Sequence, residues 1–169
     1  MRTDYINKDI IGHILASLTY ENQLICRVSL ETGLRVGDVL RLKSDFLLKE
    51  KFTIKEEKTG KPRNVWFSKS LREELLKIAG KIYVFEHRTD GRKHKTRQAV
   101  FKDLKRSAFL FRVKENVAPH TLRKIYAVDQ YNRSGKNIKK VQKLLNHSSE
   151  AVTYLYAMAD QINKKKGAV

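Results

Sequence analysis

Apolar residues recur along this chain at two spacings, and the change from one to the other lays out its elements. Ile10, Ile11, Ile14 and Leu15 fall on one face of a helix, and Leu24, Ile25 and Val28 on one face of a second. Gly33 stands where a left-handed residue would close that second helix, and Val36, Val39, Leu40 and Leu42 predict a short third one. After Asp45 the period shortens. Phe52-Thr53-Ile54 and Asn64-Val65-Trp66-Phe67 are β-prone runs flanking Lys58-Thr59-Gly60-Lys61-Pro62, which predicts a hairpin with a basic tip. Ser68 can cap a helix over roughly 69–79, with Leu71, Leu75, Leu76 and Ile78 available for burial. Residues 86–97 read as a basic loop. From Gln98 onward the pattern is helical over about 97–110, 121–134, 137–145 and 149–160. The expected fold is mainly α with a small antiparallel β-sheet, an α+β arrangement. With no repeat or Pro/Ser-rich linker, residues 1–169 are expected to form one domain, 157–169 being a short basic tail.

Composition narrows the partners. The chain is 41% hydrophobic, enough for a packed core, yet 36 Lys and Arg against 18 Asp and Glu leave a net charge of +18. Such an excess spreads positive potential over much of the surface and favours a polyanion, most often nucleic acid. A membrane is disfavoured, because no long apolar run is present, and the amino terminus lacks the apolar stretch of a secretory signal. The single cysteine, Cys26, cannot form an internal disulfide, and five scattered histidines without a CxxC pair argue against structural zinc. The expectation is a soluble, cytoplasmic protein that needs no metal or cofactor.

Four stretches place polar groups at structural boundaries. In Glu31-Thr-Gly-Leu-Arg-Val-Gly-Asp38, Arg35 follows a helix-ending glycine and begins the next helix, so the turn aims its guanidinium, whose planar fork suits two oxygens of one phosphate. Asp38 lies on the same face and can hold Arg35 or cap the helix; a plain surface Arg–Asp pair fits the spacing equally well. Lys58 on the hairpin can reach a phosphate or donate a proton, though turn lysines are commonly just solvated. In Pro119-His120-Thr121-Leu122-Arg123, two basic residues share the first turn of a helix, where the dipole disfavours cations. A bound phosphate removes the conflict, since N–H groups, His120 and Arg123 then all serve it. In Leu144-Leu-Asn-His-Ser-Ser-Glu-Ala-Val-Thr-Tyr-Leu-Tyr156, Asn146 and His147 occupy a break between helices that Ser148 or Ser149 can cap. Tyr154 and Tyr156 face different sides of the second helix, so one can be core and the other exposed.

Taken in order, Arg35, Lys58, His120-x-x-Arg123, His147 and Tyr156 resemble the active-site set of the tyrosine recombinases, the phage integrase family. The matching blocks are TGLRVGDVLRLKSDF, EEKTGKPRNVWF, PHTLRKIYAVD and LLNHSSEAVTYLYA, spanning about Tyr20 to Asp160. The nine positions from His147 to Tyr156 match the family and select Tyr156 over Tyr154. The resemblance implies site-specific recombination of double-stranded DNA. Tyr156 would attack the scissile phosphate, form a 3′-phosphotyrosyl bond and release a 5′-hydroxyl, with neither ATP nor metal. Arg35 and Arg123 would neutralise the nonbridging oxygens. His120 would serve as base or relay for a phenol whose solution pKa is about 10, Lys58 would protonate the leaving oxygen, and His147 would orient the phosphate. Asp38 would support the Arg35 turn.

The remaining cations suggest phosphate tracking, with candidates at Lys61, Arg63, Arg92, Lys93, Lys95, Arg97, Lys102, Lys105 and Arg106. The family implies a homo-oligomer, a tetramer, on DNA and a monomer away from it, in a bacterial or phage setting at the nucleoid. About twenty residues precede the resemblance, too few for the helical DNA-clamping domain that usually comes first. The expectation is therefore a catalytic fragment or a compact single-domain recombinase. The rival reading is a non-catalytic DNA-binding protein of the same fold. An RNA-associated basic protein would explain the charge but not the ordered motifs, and a standalone topoisomerase would share the chemistry without needing two synapsed sites.

Overall fold

The computed structural model describes residues 3–161. The helices are α1 (Lys8–Ala16), α2 (Tyr20–Thr32), α3 (Val36–Leu40), α4 (Lys69–Ile78), α5 (Arg97–Leu110), α6 (Pro119–Arg133), α7 (Ile138–Leu145) and α8 (Glu150–Ala157). Two antiparallel ribbons interrupt them, β1 (Lys51–Lys55) with β2 (Pro62–Trp66), and β3 (Glu86–His87) with β4 (Asp90–His94).

Helix α2 is the spine. Its Leu24, Ile25, Cys26 and Val28 are fully buried, and it packs against α1, α3, α4, α5 and α6. The larger apolar core takes in Ile11 and Ile14 of α1, Leu71 and Leu75 of α4, Leu104 of α5 and Leu122 of α6. Strands β1 and β2 add Phe52, Ile54 and Val65 from their inner face, in the strict alternation the sequence predicts. A smaller cluster of Tyr126, Ala127, Val141 and Leu145 joins α6 to α7, with Tyr156 of α8 packed against it. Helices α6, α7 and α8 thus pack on one another, α6 also on α2, and bring together His120, the α7–α8 break that holds His147, and Tyr156.

The boundaries follow local chemistry. Gly33 ends α2 at φ 68°, and a Cβ there would lie 2.4 Å from the Tyr126 ring, so glycine is required twice over. Ser68 caps α4 through the Leu71 N–H, and Thr96 caps α5 through the Ala99 N–H. Asn146 closes α7 in the left-handed conformation, at φ 50°. Helix α6 begins at Pro119, the start that this proline marks in the sequence, because proline is well suited to the first helical position. Leu76 is 43% exposed instead of buried. Residues 86–97 are not a plain loop: β3 and β4 pair across Arg88 and Thr89, and Glu86 accepts the Ile82 N–H at 2.7 Å. Within 157–169, only residues up to 161 are among those described, so the basic tail lies almost wholly outside them. Among the described residues no helix is long and apolar enough to cross a membrane, and no group of His, Cys, Asp and Glu could hold a metal ion.

Candidate active site

A cleft of about 870 Å³ opens where the α2–α3 turn, the β1–β2 turn and the N-termini of α5 and α6 meet; Arg35, Asp38, Lys58, Arg97, His120 and Arg123 line it. Arg35 occupies the cap position of α3 in extended backbone, and its Nη1 donates to Glu56 Oε2 at 2.8 Å. The expected Arg35–Asp38 pair does not form. Asp38 instead accepts the backbone N–H of Glu57 at 2.8 Å, tying α3 to the hairpin, while its Oδ2 is buried without a hydrogen-bond partner among the described residues. Burial pushes its carboxyl above the usual range, and the Glu57 N–H only partly opposes this.

Among the described residues Arg123 is the largest fully buried side chain, only 2% exposed. It donates through Nη1 to the Gly33 carbonyl and through Nη2 to the Leu145 carbonyl, the latter at 2.5 Å. One guanidinium therefore ties the end of α2 to the end of α7. Desolvation first, then the charges of Arg35 and Arg63, push its pKa down to about 10. That is the signature of a cation buried without enough anion nearby.

Tyr156 reaches this group from α8. Its hydroxyl lies 3.4 Å from His120 Nδ1, and its ring meets the His147 ring edge-on, with centroids 5.2 Å apart. Desolvation and the nearby charges of Arg123, Arg35, Arg97 and Lys58 push the His120 pKa below its ordinary value, which favours the uncharged ring. His147 is pushed down to about 4, by desolvation and then by Arg123 and Arg35. Its Nδ1 sits 3.1 Å from Thr153 Oγ1, which itself donates to the Ser149 carbonyl at 3.2 Å. With that proton committed, Nδ1–H of His147 is the donor to Thr153 and Nε2 is left free. Tyr154 is 47% exposed on the other side of the helix, so neither tyrosine is core.

The other predicted contacts divide. Arg63 is not available to DNA: it is buried, donating to Glu56 Oε1 at 3.0 Å and to the Thr32 carbonyl. Alternation explains this, since Arg63 sits on the inner face of β2. Lys105 bonds Asn116, Lys95 pairs with Glu21 at 2.7 Å, and Arg106 with Asp103 at 2.7 Å. Arg92 and Lys93 are solvated on β4, both beside Asp90. Lys61 and Lys102 are exposed, and Arg97 faces the cleft. The residue that the sequence reading missed is Glu56, buried beneath the hairpin turn. Burial pushes its carboxyl up, but hydrogen bonds from Arg63 and Thr59 and the two guanidinium charges outweigh this and hold it below the usual value.

A mainly α domain whose cleft gathers three arginines, a lysine and a histidine beside a tyrosine hydroxyl has the fold of the tyrosine recombinase catalytic domains. The chain belongs to the phage integrase family, whose model matches residues 4–162. It is 30% identical over 169 residues to a tyrosine recombinase of Thermosipho africanus, covering 94% of this chain and 58% of that protein, so it spans little more than half the relative's length. Among solved structures, it resembles a lambda integrase dimer bound to a COC′ core site, with a TM-score of 0.74, 21% identity and coverage of 93% of this chain and 60% of that one. The catalytic domain of bacteriophage HP1 integrase superposes with a TM-score of 0.65 and 20% identity, over 94% of this chain and 89% of that one.

Proposed function

We propose that this chain is the catalytic domain of a site-specific recombinase, which cleaves and rejoins double-stranded DNA through a 3′-phosphotyrosyl bond at Tyr156. The observation that carries the reading is the Tyr156 hydroxyl, 3.4 Å from His120 Nδ1 at a cleft lined by Arg35, Lys58 and Arg123. In the proposed reaction, His120 accepts the phenolic proton as Tyr156 oxygen bonds to phosphorus. Arg35 and Arg123 hold the nonbridging oxygens where charge develops, and their protein acceptors fix them in advance. Lys58, exposed on the turn, supplies the proton that departs with the 5′ oxygen. His147 directs Nε2 at the phosphate and takes up a proton as the anion arrives. Reversal by the 5′-hydroxyl of another strand exchanges one phosphodiester for another, so the step is close to isoenergetic.

The net charge of +18 supports DNA as the partner. Lys61, Arg92, Lys93, Arg97 and Lys102 are the proposed phosphate contacts. A tetramer on DNA, formed by a cytoplasmic protein working at the nucleoid, completes the reading, with residues 1–169 as one domain. The test uses nicked duplexes recovered from a randomised pool by covalent attachment to the protein. Tyr156→Phe abolishes the adduct and Tyr154→Phe retains it. An adduct that survives Tyr156→Phe eliminates the assignment, and DNA binding without any adduct favours the non-catalytic alternative.

A further inference from the structure

We propose that Glu56 is a positioning residue, which sets the Arg35 guanidinium and the Lys58 turn in one arrangement before DNA binds. The inference rests on the reaction proposed above. The Glu56 side chain is completely buried and still charged, with three donors on its two oxygens: Arg35 Nη1 at 2.8 Å, Thr59 Oγ1 at 2.9 Å and Arg63 Nη1 at 3.0 Å. Its backbone closes the same turn, the N–H donating to the Lys61 carbonyl at 3.0 Å and the carbonyl accepting from Gly60 N at 2.9 Å. Lys58 lies inside that loop. One residue therefore grips the arginine from the side and the lysine from both ends of its turn.

A buried ion pair is poor value as mere stabilisation, since desolvating the charges offsets most of their attraction. Geometry is what such a cluster supplies. Arg63 shows how: it lies beneath Glu56, donates onward to the Thr32 carbonyl, and so anchors the carboxylate to the end of α2, one residue before the Gly33 carbonyl that holds Arg123. Arg35 and Arg123 are thereby referenced to neighbouring carbonyl positions of the same helix end, which fixes their spacing for two oxygens of one phosphate. The Glu57 N–H to Asp38 bond prevents the strand from sliding against α3.

The experiment is a double-mutant cycle in single-turnover adduct formation on a nicked duplex, read beside equilibrium DNA affinity and thermal unfolding. Glu56→Gln keeps the shape and one acceptor but removes the charge; cleavage should slow by roughly 100-fold while affinity changes by less than about 3-fold. In an Arg35→Ala background the same substitution should add no more than about 10-fold, the share that runs through the Lys58 turn, because the rest of its effect runs through Arg35. Should Glu56→Gln fail to fold, Thr59→Val decides. It removes one donor from an exposed turn, and cleavage should slow by about 10-fold. A substrate whose leaving 5′ oxygen is replaced by sulfur, needing no proton, should restore the rate. Cleavage within about 3-fold of wild type in a folded variant, or full additivity with Arg35→Ala, overturns the inference. A wild-type chain that forms no adduct overturns the proposed reaction instead, and the inference falls with it.

Discussion

Arg35, Arg63 and Arg123 lie in or beneath the cleft, each held by a fixed acceptor of the protein, whereas Arg92 and Lys93 stand on the β3–β4 ribbon with 87% and 74% of their side chains exposed. Both sets carry the same charge, but they can do different work. A guanidinium already locked onto Glu56 or a backbone carbonyl needs little reorganisation when a phosphate arrives, so it can distinguish a transition state from a ground state. A solvated cation must be ordered by the DNA itself and is screened by salt, so it supplies attraction without geometry.

The largest effect that can break this comparison comes from Arg123→Lys. Lysine keeps the charge but cannot bridge the Gly33 and Leu145 carbonyls, so cleavage should fall by about 10²–10³-fold. If single-turnover adduct formation tolerates the change, charge alone is sufficient and the contrast fails. Gly33→Ala attacks the scaffold of the same contact. A methyl group at φ 68°, 2.4 Å from the Tyr126 ring, should cost about 2–5 kcal/mol in urea unfolding. Gly135→Ala, at φ 66° with open space around it, should cost only about 1–2 kcal/mol. Equal costs would show that Tyr126 yields freely.

Stability against pH tests the electrostatic half of the contrast. The unfolded chain protonates His147 below about 6.5, the folded one only below about 4. The unfolded state therefore binds more protons between those values, and stability should fall as pH drops through that window. His147→Gln should lower the slope of this decline. Identical slopes in wild type and variant would remove the arginines' influence on that ring. The smallest effect belongs to the ribbon. Arg92→Ala and Lys93→Ala should each reduce the salt-dependence slope of DNA affinity by about one, with the loss shrinking at high salt. A loss independent of salt would move these residues from attraction into geometry.

Much of this arrangement is legible in the chain itself. The change of period at Asp45, Ser68 as a cap and Gly33 as a left-handed terminator are local, and the structure has each where the pattern puts it. The order Arg35, Lys58, His120, Arg123, His147 and Tyr156 is likewise visible in the motif blocks; Arg35, Lys58, His120 and His147 sit at element boundaries, while Arg123 and Tyr156 lie within α6 and α8. Glu56 was not legible. In EEKTGK it is one of two adjacent acidic residues, and only strand phase sends it inward while Glu57 stays exposed. Arg63 was misread for the same reason, as a basic residue near a basic turn. The β3–β4 ribbon escaped because its apolar content is low and its pairing depends on Glu86 and on Lys95 bonding back to Phe85.

The sequence by itself therefore determined which residues are candidates for the chemistry and which elements present them, because capping, alternation and helical period act over a few positions. Only the tertiary structure decided which charges are organised. Arg123 meets carbonyls 90 and 22 positions away, and Arg35 meets Glu56 21 positions away. A cation's partner at such distances is chosen by how helices pack around α2, and burial then turns an ordinary charge into a fixed donor.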